Sequence, residues 1–259
     1  MYNVLCYKPL IAIHYRLYQI VYRCEITLME TLVTKKVSVV LCPNMIEIFD
    51  TGGRIRQKAH DLFMQYGLRS VSMDDIANGL GISKKTIYIY YADKDELVNA
   101  VVGTIIQKNQ ETCDFDRTSA ENAIHEIFLA IDLVKELFRS MNPSLLFDMQ
   151  KYYPGAYKKF SAHKNDYLFG VIKENLLRGV KEELYRENID VDVLSRFRVE
   201  CIILPFNPDF HNNVKSNLAE IEEELTIHFL YGLVSHKGYK LTLKYQEERN
   251  KKLLADAKK

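Results

Sequence analysis

The chain is short of net charge, and its cysteines and histidines show no organised spacing. Its formal charge is +1 over 259 residues, so any attraction for phosphate must come from how charge is distributed and not from an overall basic balance. The five cysteines, Cys6, Cys24, Cys42, Cys113 and Cys201, lie far apart without a C-x-x-C pair, which argues against a zinc site or a disulfide framework. Cys113 and Cys201 read as small, reduced residues of a cytoplasmic protein. His125, His163, His211, His228 and His236 follow no H-E-x-x-H or other ligand spacing, and the chain has no glycine-rich phosphate loop and no repeat of fixed period. No metal and no cofactor are expected. A nucleophile, a base and an orienting group do not come together in any pattern, so an enzyme on a helical scaffold is the weakest functional reading. No strand alternation is present, and the fold class expected is all-α.

A long apolar run is also missing. Residues 1–44 are rich in Tyr, Ile, Val and Leu, but Lys8, His14, Arg16 and Arg23 interrupt them, and a bilayer span needs about twenty uninterrupted apolar residues. No small-residue cleavage site follows, so a secretory signal is not expected either. This segment has no helix caps and no clean period. It is read as an extension outside the fold, with the natural polypeptide expected to begin at Met45.

What the sequence does have is a dense set of helix signals around Ser72–Tyr91, SMDDIANGLGISKKTIYIYY. Ser72 followed by Asp75 has the spacing of a capping box, in which each side chain accepts from the other's exposed backbone N–H. Ile76, Ala77 and Leu80 then recur at helical spacing until Gly81 offers the left-handed conformation that ends the helix. Ser83 is a second cap. Ile87 and Tyr91 fall four apart on an inner face, which leaves Lys84, Lys85, Thr86, Tyr88 and Tyr90 on the outer faces. Such a helix suits a DNA major groove: ammonium groups reach phosphate or guanine acceptors, hydroxyls reach phosphate, and the Thr methyl meets thymine. The same helix, turn and helix also occur in proteins that bind no DNA.

The flanks extend the pattern. Upstream, Ile55, Ala59, Leu62, Phe63 and Tyr66 form one helical stripe that Gly67 stops. Downstream, Asp93 and Glu96 begin a longer helix whose apolar side is Leu97, Val98, Val101, Val102 and Ile105. Residues 50–112 hold eight Lys or Arg against eight Asp or Glu, so bases must be gathered on one face if this part is to meet DNA.

From Arg54 to Val102, with FMQYGLRSVSMDDIANGLGISKKTIYIYYADKDELV inside it, the chain resembles the N-terminal DNA-binding domain of the TetR family of transcriptional regulators. The resemblance runs through the Gly67 turn, the Ser72 cap, DDIA, the G-I-S-K turn, T-I-Y-x-Y-Y and K-D-E-L. It implies that Lys84, Lys85, Thr86 and Tyr90 face the groove, while Ser72, Tyr88 and Lys94 hold phosphates; Ser83 is a further candidate. The alternatives are that the two serines are caps only, the two lysines a solvated pair and the tyrosines packing residues. Lys94 sits at a helix start, where the helix dipole disfavours a cation, so an anionic partner is expected there. Ile89 stands where relatives often carry a His or polar residue.

Beyond Gln107 a polar stretch, ETCDFDRTSAEN, reads as the joint to a larger helical body, without a Pro/Gly/Ser linker. An amphipathic helix is expected over Ser119–Met141, a shorter one after Asn142-Pro143, and another from Pro154 to about Gly179. Asp190 and Asn217 cap two more. The last of these carries Leu218, Ile221, Leu225 and Phe229 against an acidic face of Glu220, Glu222, Glu223 and Glu224. The organisation expected is an N-terminal extension (1–44), a helix-turn-helix domain (45–108), a regulatory and dimerisation domain (109–238) and a charged tail (239–259).

The resemblance implies a homodimer through the helices at Asp190–Leu204 and Asn217–His236, with Leu194, Phe197, Cys201, Leu225, Phe229 and Gly232 at the interface. The alternative is an intrachain core. It also implies a small-molecule inducer in a pocket of the body, for which Phe128, Phe147, Tyr152, Phe160, His163 and Tyr167 are candidate lining, with plain core packing as the alternative. The function expected is a ligand-responsive repressor of transcription that binds double-stranded DNA as a dimer. The other reading is a helical interaction protein that has lost DNA binding.

Overall fold

A computed structural model describes residues 51–256, with side chains to 251. The expectations for residues 1–44, including Cys6, Cys24 and Cys42, lie outside the described residues. Among those residues the fold is helical, and its one β-type pairing is an isolated bridge between Tyr185 and Val234. No helix among them is long and apolar enough to cross a membrane.

Three helices form the head: α1 (Thr51–Tyr66), α2 (Met73–Leu80) and α3 (Lys84–Tyr90). Ile55, Ala59 and Phe63 of α1 meet Ile76 and Ala77 of α2 and Ile87 of α3, all buried. Burying such side chains supplies roughly 1.5–3 kcal/mol each before chain entropy is counted. Gly67 ends α1 at φ +84°, a conformation that a residue with a Cβ adopts only at a cost. Tyr66, expected on the inner stripe, is half exposed because α1 stops at it.

Helix α4 (Lys94–Ser119) opens with its Asp93 cap accepting from the Glu96 N–H, while Glu96 reaches back to the N–H of Ala92. Its first turns complete the head core through Leu97, Val98 and Val101. The polar stretch expected as a joint is largely more helix: α4 continues to Ser119, held to the body by Tyr167, whose hydroxyl lies 3.0 Å from both the Gln110 carbonyl and the Asp114 carboxylate and shares its proton between them. Head and body thus share one continuous rod.

The body continues with α5 (Ala123–Phe138), α6 (Leu145–Tyr152), α7 (Pro154–Ala162) and α8 (Phe169–Lys181). A π-helical turn, His163–Leu168, joins α7 to α8 without a break in helical backbone. Then come α9 (Val191–Cys201), the short α10 (Pro208–His211), α11 (Leu218–Leu233) and α12 (His236–Asp256). Asn122, Asp190 and Asn217 cap α5, α9 and α11 with their side chains, and Asn217 does so in a reciprocal box with Glu220. Met149, Tyr153 and Ala156 of α6 and α7 belong to the head core, which fixes head to body. A second core joins α5, α8 and α11 through Ile124, Phe128, Leu176, Leu230 and Leu233. The Lys-rich stretch after Gly238 is helical, and its Thr242 is fully buried.

Candidate nucleic-acid interface

The presentation of α3 is set by hydrogen bonds on both sides of the turn. Ser72 Oγ accepts from the Asp75 N–H at 3.2 Å, and the Asp75 carboxylate accepts from the Ser72 N–H at 2.7 Å and the Ser72 hydroxyl at 2.6 Å. Donation from Ser72 holds the Asp75 carboxyl below its usual range. Gly81 takes φ +64°, and the N–H groups of Gly81 and Ile82 return to the carbonyls of Asn78 and Ala77. Ser83 then caps α3, accepting from the Thr86 N–H at 3.1 Å, with its hydroxyl 2.8 Å from that of Thr86.

Ile87 alone of α3 is fully buried, so it fixes the rotation of the helix. Lys85, Tyr88, Ile89 and Tyr90 are exposed as a result, and Lys84 and Thr86 are half-buried. Ile89, at 73 % exposure, is the most open large apolar side chain among the described residues, and it sits between the two tyrosines. An exposed isoleucine on a helix of cations and hydroxyls offers a methyl-bearing surface for thymine.

The two candidate cations at the ends of this unit are oriented differently. Lys84 Nζ lies 2.8 Å from Asp74 Oδ2 on α2, and that hydrogen bond pushes the ammonium pKa up. Lys94 turns inward. Its ammonium donates to the Leu68 carbonyl and lies 5.9 Å from the Phe63 ring centroid and 5.7 Å from that of Tyr153. Burial lowers its pKa, while Asp148 and Asp75 act in the opposite sense. The anionic surroundings expected for a cation at this helix start are therefore supplied within the chain.

A cavity of about 230 Å³ opens among α4, α5, α6, α7, α8, α9 and α11. Val102, Ile105, Ile106 and Asn109 of α4 line it, as does Met64 of α1, so an occupant would touch the rod that carries the head. Of the candidate lining residues, Phe160 and His163 border it. Phe128 is buried in the body core, Tyr167 bonds to α4, and Phe147 and Tyr152 are exposed on α6 at 51 % and 40 %. His163 accepts from Gln110 and donates to Asn109 Oδ1 at 3.0 Å in its neutral form, and burial lowers its pKa to about 4. Cys113, also at the wall, is pushed up to about 11 by burial and stays a thiol.

The candidate interface residues divide between surface and interior. Phe197 is exposed at 53 %, beside Val193 at 60 %; Leu194, Cys201 and Leu225 are half-buried; Phe229 is buried, with its ring 6.2 Å from that of Phe197. Gly232 is exposed, and within the subunit nothing lies within 4 Å of where its Cβ would be. Two functional features escape the sequence pattern. Asp74 is one, since its partner is ten residues away across the turn. The other is the pair Arg198 and Glu222: Glu222, expected on an acidic outer face, is 1 % exposed. A charge at helical spacing from Leu218 and Phe229 is the signal that could have revealed it.

Comparison with known proteins agrees with this geometry. Residues 55–101 match the family described as bacterial regulatory proteins, tetR family. The HTH-type transcriptional regulator YvaF of Bacillus subtilis is 27 % identical over 173 residues, covering 66 % of this chain and 90 % of that protein. A TetR-family regulator from Agrobacterium tumefaciens superposes with a TM-score of 0.61 at 15 % identity, over 71 % of this chain and 97 % of its own. A transcriptional regulator from Saccharomonospora viridis, solved in complex with choline, superposes with a TM-score of 0.57 at 15 % identity, over 71 % and 98 %. The fold and the exposed second helix of the turn define a helix-turn-helix transcriptional regulator. Within that class, residues 55–101 match the model of the tetR family's N-terminal domain.

Proposed function

We propose that this regulator is a ligand-responsive repressor that acts as a homodimer on a palindromic operator in the cytoplasm. The observation that carries the reading is the outward face of α3, where Lys85, Tyr88 and Tyr90 are exposed beside Lys84 and Thr86 on a helix whose rotation is fixed by Ile87. Lys84, Lys85, Thr86 and Tyr90 face the groove, and Ser72, Ser83 and Tyr88 meet phosphates at its edges. Lys94 is given a different part: its ammonium braces the Gly67–Leu68 turn from inside.

Two such heads must be spaced by about 34–36 Å to enter successive major grooves. The exposed apolar strip of Val193 and Phe197 on α9, with Gly232 open on α11, supports pairing of these helices across a two-fold axis. The cavity supports control by a small molecule, because its wall includes five residues of α4. An occupant that displaces α4 moves the head with it, and the spacing of the two heads changes.

The test is fluorescence anisotropy with duplexes tiled across the region upstream of the gene, together with light scattering to give the mass in solution. Tight binding to one inverted repeat, with a steep dependence on salt, and a mass of two chains are expected. A monomer that binds no duplex at low salt would overturn the proposal.

A further inference from the structure

The wall of the cavity carries a pair of charges that do not use up their own hydrogen-bonding capacity. Arg198 and Glu222, from α9 and α11, both line it, and their side chains are only 9 % and 2 % exposed. The Arg198 Nη2 group donates to Glu222 Oε1 and to Thr226 Oγ1, and the Thr226 hydroxyl donates to the Glu222 backbone carbonyl at 2.8 Å. That leaves Arg198 Nη1 and Glu222 Oε2 buried with no partner. The other polar groups at the wall are engaged: His163 with Asn109 and Gln110, Asn175 with the Ala123 carbonyl and the Tyr185 hydroxyl, and Glu126 with Arg178. Among the described residues, Arg198 and Glu222 are therefore where the wall of this apolar cavity carries an unused donor and an unused acceptor.

Buried polar atoms are nearly always hydrogen-bonded, and a site built to bond a ligand group discriminates strongly for it. Resting on the reading of the cavity as the regulatory site, we infer that its ligand is an apolar molecule with an uncharged polar end that both donates and accepts, such as an alcohol or a primary amide. The ligand's oxygen accepts from Arg198 Nη1, and its O–H or N–H donates to Glu222 Oε2. The pair has no net charge. A carboxylate head would face the Glu222 oxygen and an ammonium head would face the guanidinium, each in a setting of low dielectric where like charges repel strongly. The rest of the ligand is hydrocarbon, because the remaining wall is made mainly of Leu, Ile, Val, Met and Phe side chains. At about 230 Å³ the space exceeds the roughly 150 Å³ that admit a benzene.

The test uses the full chain and four probes of one length: 1-octanol, octanamide, octanoate and octylammonium, titrated at pH 7 by calorimetry. Octanol and octanamide are expected to bind about tenfold or more tightly than either ion, the ratio that one or two buried hydrogen bonds provide. A second chain carrying Arg198→Met and Glu222→Leu together replaces the pair by apolar groups of similar size, a change that folded proteins commonly tolerate. It should lose the affinity for octanol by about tenfold and keep that for 1-chlorooctane, which fills the space without a hydrogen-bonding head. Octanoate or octylammonium binding as tightly as octanol overturns the inference and leaves the cavity reading intact. So does a double variant that binds octanol as well as the parent does. Failure of all five compounds to bind the parent chain overturns both.

Discussion

Lys84 and Asp74 face one another across the turn of the DNA-binding unit, with 2.8 Å between ammonium and carboxylate. In the free protein this pair ties down a cation that the proposed complex needs at the groove, and the acid adds a negative charge close to it. Asp74→Asn is therefore expected to tighten binding to a duplex about threefold to tenfold at low salt. Lys85→Ala should weaken it and make it less dependent on salt, as loss of a cation at the DNA surface does. Anisotropy titrations at several salt concentrations check both, and an Asp74→Asn chain that binds more weakly would contradict the assignment.

Lys94 separates bracing from DNA contact. Lys94→Met leaves the Leu68 carbonyl without its donor, so a stability loss of about 1 kcal/mol is expected in urea unfolding. The salt slope of DNA binding should stay that of the parent. A slope lower by about 0.9 would instead return Lys94 to the phosphates.

His163 predicts a pH dependence. Its folded pKa is lowered from 6.5 to about 4 by burial between α4 and the π turn. The unfolded chain thus binds a proton more readily than the folded one. The contribution of His163 is fully present well above pH 6.5 and is lost as pH drops through that value towards 4, by about 2–3 kcal/mol. His163→Gln should remove this part of the slope, measured by urea midpoints between pH 7 and 4.5.

The Tyr185 ring lies directly against the backbone of Gly179. A Cβ at residue 179 would stand 2.0 Å from the Tyr185 ring, which is held by bonds to Asn175 at 3.0 Å and to the Ala123 carbonyl at 3.2 Å. Gly179→Ala is expected to cost about 3 kcal/mol, at the upper end of overpacking effects, because the ring has nowhere to move. Thermal unfolding by circular dichroism is the check.

These residues also mark what could be read from the sequence. Caps and stops are local chemistry, so Ser72 with Asp75, Ser83, Asp190, and Asn217 with Glu220 place helix starts where the structure has them. The apolar stripes of the head are equally legible, since each short helix has one buried side. Partnership between distant helices is not. Nothing around Glu222 announces that Arg198 waits 24 residues earlier, and nothing around Lys94 names the Leu68 carbonyl. Phe147 and Tyr152 are aromatic in a body rich in aromatics, and only the packing of α6 against the head shows that they point outward, beside Lys151 and Arg69.

The π-helical turn at His163–Leu168 sets the phase between the two halves of a long helix. An α-helix advances about 100° per residue, and a π turn takes up one residue more than the α-helical turn it replaces. A chain shortened by one residue there could close the turn into ordinary α-helix with α8 still in phase, whereas the full stretch wound as ordinary α-helix would roll α8 by about 100° against α7. The edge that carries Asn175, Leu176 and Gly179 into the interior would swing out toward water, taking Tyr185's partners with it. The wider turn is thus what keeps that edge inward: the stretch can lose its one extra residue without turning α8, while any other change of length turns it.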